Sequence, residues 1–153
     1  MVINNIVERV IKYRGLRLKE ETGGRNIWVY GYYVKRGMYI EEPQPHIFDF
    51  NHGYAGYRVQ LGTVCQYLGV HDCKKQEVYE HDIVTVHDKA WVKEFGKYHL
   101  IKWSSDEMDD DFGTSFIGFC ALPYFMSALR TKNKIEVVGN MFDTPELLSE
   151  ITL

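Results

Sequence analysis

His71, Cys73, His81 and His87 fall in one stretch, with Cys65 and Asp72 beside them. These are transition-metal ligand types, and a structural zinc site wants them in close pairs at characteristic separations. His71 and Cys73 flank a single residue and His81 and His87 stand well apart, so neither pair follows a zinc finger or knuckle. They read as turn histidines and an incidental thiol, and no metal is expected. Nucleophilic chemistry fares no better. No GxSxG elbow occurs, and Cys120 lies among Phe116, Ile117, Phe119 and Leu122, a core-like setting. Asp106, Glu107, Asp109, Asp110 and Asp111 lack the spacing of a calcium loop and read as a solvated acidic run. Neither GxGxxG nor GxxxxGK[ST] is present, and Gly23-Gly24 precedes a strand rather than a helix N-terminus. The expectation is no catalytic residue, no metal and no cofactor.

The aromatic residues are the more pointed signal. Eleven Tyr, 8 Phe and 3 Trp make up 14% of the 153 residues. Tyr30, Tyr32, Tyr33 and Tyr39, with Arg25, Lys35 and Arg36, are the types that stack bases and hold phosphates on OB-type folds. The same residues suit a core on one strand face and an oligomer interface on the other, where aromatics are enriched. Lys plus Arg is 18 against 21 Asp plus Glu, a net charge of −3. A domain built to neutralise many phosphates usually has a basic excess. Core and interface is therefore the leading reading, with single-stranded nucleic acid second.

Three cysteines cannot pair fully within one chain, which points to reduced thiols in a cytosolic protein. The N-terminal residues carry no basic leader or small-residue cleavage site, and no apolar run approaches bilayer length. A cytoplasmic location, the compartment where the chain is made, is expected.

The elements that must position these residues are mostly strands. Residues 3–11 have helical spacing, competing with a strand over Arg9–Arg14. Glu20–Asn26 reads as a turn. Ile27–Val34 reads as a strand, joined through Arg36-Gly37 to Met38–Ile40 as a hairpin. Glu41–Tyr57, with two prolines and two glycines, reads as a long aromatic-pinned loop. Arg58–Leu68 looks extended, Gly69–Glu80 is a polar turn, and Ile83–Val86 and Tyr98–Trp103 are strands. Phe112–Ala121 pairs back, Leu122–Leu129 makes a helical turn, and Ile135–Met141 is a strand. At the C-terminus Thr144 caps, Pro145 takes the first helical position, and Leu147, Leu148 and Ile151 form an apolar stripe.

Several stretches, read together, resemble the YopX family of phage and prophage proteins. They are Tyr13-Arg14-Gly15, Trp28–Tyr32, Thr63–Gly69, Asp72, Glu77–Val84 and Glu136–Leu148, in order and spaced over about Ile11 to Leu148. The chain departs from the family at His81, where Gly is common, at Leu68, where Thr is frequent, and at Cys73–Gln76, where a Gly-containing turn stands. The resemblance implies a small β-barrel-containing protein without assigned catalytic residues. It points to Trp28 and Tyr67 as core anchors and to Gly31 and Gly69 as backbone exceptions. Asp82 is implied as a turn or cap acceptor before Ile83, and Gly139-Asn140 as a tight turn. Gln66, Tyr67 and Asp82 are the candidate binding positions.

The expected fold is mainly β, α+β at the margins: a small SH3-like or OB-like barrel with a hairpin, a long loop and a short C-terminal helix. A single domain over 1–153 divides into an extension (1–12), the hairpin and loop region (13–60), the barrel core (61–143) and the helix (144–153). The expected function is that of a phage or prophage accessory protein acting by self-association as a homo-oligomer, or by binding a phage or host protein. A single-stranded nucleic-acid-binding module is the alternative, and a metal-assisted enzyme is third.

Overall fold

The computed structural model describes residues 10–36, 43–49, 52, 55–87, 96–104, 118–121, 124–125 and 135–151. The chain is mainly β, as the short turn-bounded runs predict. In order, the elements begin with β1 (Tyr13–Leu16), α1 (Lys19–Thr22), β2 (Trp28–Arg36), β3 (Gln44–Asp49) and β4 (Gly56–Arg58). After a 3-10 turn at Leu61–Thr63 come β5 (Cys65–His71), β6 (Glu77–Tyr79), β7 (Asp82–Val86) and β8 (Tyr98–Ser104). Then follow β9 (Gly118–Ala121), β10 (Tyr124–Phe125), β11 (Ile135–Asn140) and a 3-10 helix at Pro145–Glu150.

The strands form two antiparallel sheets, ordered β4-β3-β2-β1-β5-β6 and β10-β9-β8-β7-β11. Among the described residues neither closes into a barrel. The reason lies in β1, whose two ends serve different neighbours. Tyr13 and Arg14 pair with Gln66 and Cys65 of β5, while beyond its other end Arg17 bridges Val59, just past β4. The first sheet curls and is tacked by that one bridge instead of being seamed along a strand.

Alternation assigns the two faces of the first sheet. Residues directly opposite one another share a face, so Val29, Ile47 and Gly15 lie together and Val59 closes over them. On this face Gly31 meets β3 so closely that a Cβ would sit 1.8 Å from the Phe48 carbonyl oxygen. The other face carries Arg14, Leu16, Trp28, Tyr30, Tyr32, Cys65 and Tyr67. Between the sheets Val78 packs with Val84, Val86, Ile101 and Ile135, with Leu68, Val70 and Val137 at its margin. Each fully buried aliphatic side chain there contributes ~1.5–3 kcal/mol relative to exposure.

Several sequence expectations need correction. Glu41–Tyr57 is not one long loop. Gln44–Asp49 and Gly56–Arg58 are strands, because Pro45, Ile47 and Asp49 alternate inward behind the prolines that suggested irregularity. The extended run Arg58–Leu68 is broken by the 3-10 turn at Leu61–Thr63, which turns Leu61 outward. Gly69–Glu80 is not one polar turn: β5 carries on to His71 with Leu68 and Val70 against the inter-sheet core, and Glu77–Tyr79 is a strand. Lys19–Thr22 makes one helical turn, stopped by Gly23 in the left-handed region. Tyr124–Phe125 pairs with β9 and is not helical.

The C-terminal α-helix is a 3-10 helix without a buried residue. Thr144 does not cap it: its hydroxyl donates to the Asn140 carbonyl at 2.9 Å and accepts the Asn140 N–H at 3.0 Å. Gly139-Asn140 is likewise the end of β11, opposite Ile83 and Asp82, and the turn follows it. Gly139 is needed because Thr144 Oγ1 lies 2.1 Å from where a Cβ would stand. The hairpin arm Met38–Ile40, the lead-in over residues 3–9, the acidic run and Phe112–Ile117 lie outside the described residues.

Candidate functional site

The strand pairing β1–β5 brings Arg14 beside Cys65 on the outer face of the first sheet, and β6 brings Tyr79 opposite Tyr67. Asp82, opening β7 after the β6–β7 turn, reaches back under them. Arg14 Nη2 donates to Asp82 Oδ1 at 2.5 Å, with side chains only 6% and 1% exposed. Asp82 Oδ2 accepts the Tyr79 N–H at 2.7 Å. The Arg14 guanidinium lies 4.6 Å from the Trp28 ring centre and 4.8 Å from that of Tyr79. Its Nε is buried without a hydrogen-bond partner.

The electrostatics follow from burial. Burial pushes the Asp82 carboxyl up to about 6, against the Arg14 charge and the Tyr79 amide, which pull it down. At neutral pH the carboxylate is ionised and the pair is intact. Burial also opposes the Arg14 charge, but Asp82 outweighs it and holds the guanidinium above its usual value.

Two arcs of rings spread from this pair. One runs Tyr30–Tyr79–Tyr67–His71, with centroids 5.8, 5.5 and 6.0 Å apart. The other runs Trp28–Phe142–His81, at 5.8 and 5.7 Å. The spacings are those of tilted and edge-on aromatic pairs. The first arc is edged by Lys12, which lies over the Tyr67 ring and pairs with Glu77. Glu77 also accepts the Tyr79 hydroxyl at 2.7 Å. Burial opposes the Glu77 charge, but Lys12 and Tyr79 hold its carboxyl below the ordinary value. The second arc is edged by Asp143, which accepts Trp28 Nε1–H at 2.6 Å, Asn26 at 2.9 Å and Asn140 at 3.0 Å.

Cys65 and His81 approach within 3.6 Å beneath the pair, a spacing that invites comparison with a thiol–imidazole couple. The chemistry is wrong for attack. Cys65 is fully buried, and burial pushes its thiol up to about 12, so no thiolate is present at neutral pH. Burial also lowers the His81 value, aided by Arg14 and Lys102 against Glu80. What the arrangement offers is a rigid platform of ring faces and edges over a buried ion pair.

The candidate positions separate in space. Asp82 and Tyr67 belong to this cluster, whereas Gln66 points to the opposite face and contributes its carbonyl to the Glu80 N–H at 2.9 Å. Trp28 and Tyr67 are anchors of the cluster, Ile83 is buried opposite Leu100 and Gly139, and Gly69 has φ +80° at the irregularity in β5. The ligand-type residues do not converge. His71 meets Tyr67, His81 meets Cys65, His87 Nε2 lies 3.1 Å from Glu136, and Cys73 is exposed. Among the described residues no three of His, Cys, Asp or Glu gather around a common point. None of their helices is long and apolar enough to cross a membrane.

Residue-level reading missed Arg14, Cys65, Tyr79, His81 and Asp143 as one cluster. The available signal was Arg14 inside a short apolar strand, in the stretch Tyr13-Arg14-Gly15, since a buried arginine demands a partner. The departures from family glycines carry a second signal. Among the described residues His81 (φ 65°) and Lys75 (φ 66°) are the non-glycine residues in the left-handed region, at positions where the resemblance implied a glycine or a Gly-containing turn.

No curated protein matches the chain. Among solved structures, protein EF1440 from Enterococcus faecalis is 19% identical, covering 92% of this chain and 99% of that one with a TM-score of 0.43. A family description, YopX protein, matches residues 8–149, nearly the whole chain. The chain belongs to the YopX family.

Proposed function

We propose that this is a non-enzymatic accessory protein of phages and prophages that works in the bacterial cytoplasm through contact with protein. The observation that carries the reading is the outer face of β2. Tyr30, Tyr32 and Val34 are 40%, 53% and 42% exposed in succession along it, beside half-buried Trp28. Large apolar side chains exposed singly need no explanation, but a continuous aromatic stripe on a rigid sheet is the composition of an interface core. The same reading takes the fold as an opened relative of the expected SH3-like or OB-like barrel, supported by the bridge that tacks Arg17 to Val59.

The test is a photo-crosslinking residue in place of Tyr32, activated in cells that express the protein. Adducts with protein are the expected result. Adducts with nucleic acid alone, or none, would overturn the reading. Single-stranded nucleic acid remains a second reading because Tyr30 and Tyr32 share their face with Arg36 and Arg58. It requires retention of single-stranded DNA or RNA that weakens steeply with salt.

A further inference from the structure

The stripe on β2 has ends of opposite charge. Trp28, Tyr30, Tyr32, Val34 and Arg36 alternate onto one face, with Tyr32 at the centre. Beyond Trp28 lies Asp143, whose donors, Asn26, Trp28 and Asn140, are all neutral, with exposed Glu146 close by in sequence. At the other end stands Arg36, and Arg58 joins it through the pairing of Val34 with His46 and of His46 with Arg58. Both are exposed, and the ion pairs among the described residues involve neither.

Trp28 and Arg36 are each four residues from Tyr32, roughly 13 Å along the strand. A surface with an apolar centre and opposite charges at equal distances has itself, turned by half a revolution, as its complement. We propose that the occupant of this face is a second copy of the chain, laid antiparallel on the first about a two-fold axis through Tyr32. The proposal rests on the protein-binding reading above and names the partner. In this register Tyr32 meets Tyr32 and Tyr30 meets the second copy's Val34. Arg36 comes over the second copy's Trp28, against Asp143, where a guanidinium gains both a ring face and a carboxylate. Parallel stacking would instead set Arg36 against Arg36. A foreign acidic protein would satisfy Arg36 and Arg58 and leave Asp143 facing like charge. A face one strand long and a few strands wide is small for a specific interface, so the dimer should be reversible.

Sedimentation equilibrium of the full chain tests this. The wild type should be a concentration-dependent dimer. Tyr32→Lys sets two ammonium groups together on the axis and should weaken the dimer at least tenfold, with the circular dichroism spectrum of the wild type retained. Arg36→Glu should weaken it as well, and adding Glu146→Arg should restore part of the loss. Register is read with a short bis-maleimide linker on a Cys73→Ser background, because sheets stacked face to face stand ~10 Å apart, beyond disulfide reach. Tyr32→Cys should link to itself, a mixture of Tyr30→Cys and Val34→Cys should form the mixed crosslink, and Val34→Cys alone should not link.

A wild-type monomer at every soluble concentration overturns the proposal, as does a dimer indifferent to Tyr32→Lys or one whose Val34→Cys links to itself. If that monomer still forms photo-adducts at position 32 with a different protein, the protein-binding reading stands and only the second copy is lost. If its adducts are with nucleic acid alone, both readings fall.

Discussion

Two buried regions lie close together and are built on opposite principles. Between the sheets Val78, Val84, Val86, Ile101 and Ile135 form a wholly aliphatic cluster. Beside it Arg14 and Asp82, equally hidden from water, form an ion pair packed against Trp28, Tyr79 and Cys65. The aliphatic cluster stabilises by area removed from water, and almost any well-shaped apolar set would serve. The ion pair gains little net stability, because desolvation consumes most of the attraction; the raised Asp82 carboxyl expresses that loss. What the pair gives is register. Arg14 on β1 finds its acceptor only when β5, β6 and the β6–β7 turn are all in place. One region contributes energy and the other fixes which arrangement is adopted.

The largest expected effect separates the two. Asp82→Ala strands the buried guanidinium and leaves the Tyr79 N–H without its acceptor, a loss of ~3–5 kcal/mol. Replacing both partners, as Arg14→Leu with Asp82→Leu, removes the stranded charge and should be less damaging than Asp82→Ala alone. Urea unfolding of the three proteins measures this, and a double variant worse than the single would show that the pair is net stabilising. In the aliphatic cluster Ile101→Ala should lose ~2–5 kcal/mol with no partner whose removal restores it. Coupling is therefore the signature of the first region and additivity that of the second.

A smaller effect sits at the rim. Asp143→Ala removes the acceptor of Trp28, Asn26 and Asn140 at an exposed position, worth ~1 kcal/mol and visible as a change in tryptophan fluorescence. Burial opposes the Asp143 charge, but Asn140, Trp28 and Asn26 together outweigh it and hold its carboxyl below the ordinary value. The stability it contributes is full above ~4 and is lost as pH falls through that depressed value. The acid limb of a stability profile should flatten in the variant.

The two regions were unequally legible. Ile83–Val86 and Ile135–Met141 announced themselves as β-branched runs, and Tyr98–Trp103 as an alternating one, signals that need no partner to be read. β3 was hidden, since Pro45 carries the same local signature in an edge turn and in a strand that a neighbour holds in place. The ion pair was invisible for a different reason. Arg14 and Asp82 are 68 positions apart, and nothing local says that a strand arginine and a turn aspartate will meet. Asp82 drew attention as a turn acceptor and as a candidate binding position, not as an arginine's partner. It does accept the Tyr79 amide, and its second oxygen does the work that the sequence concealed.

The smallest effect is at His81, where the two regions adjoin. Its φ of 65° costs a non-glycine residue roughly 1–2 kcal/mol, which His81→Gly would relieve. The substitution also loses the edge contact with Phe142, worth ~0.5–1.5 kcal/mol, and gives the unfolded chain more freedom. These nearly cancel, so at mildly alkaline pH the variant should match the wild type within ~1 kcal/mol. The pH profile does not cancel. Burial lowers the His81 value in the folded state, so its contribution is full above ~6.5 and is lost as pH falls below that. Asp82 acts oppositely: its contribution is full below ~4 and is lost as pH rises through about 6. Subtracting the variant's urea-unfolding profile from that of the wild type removes Asp82 and isolates the histidine. The difference should decline as the medium is acidified below neutrality. A flat difference would mean that His81 holds its proton as readily in the fold as outside it, and that burial beside Arg14 does not disfavour that charge.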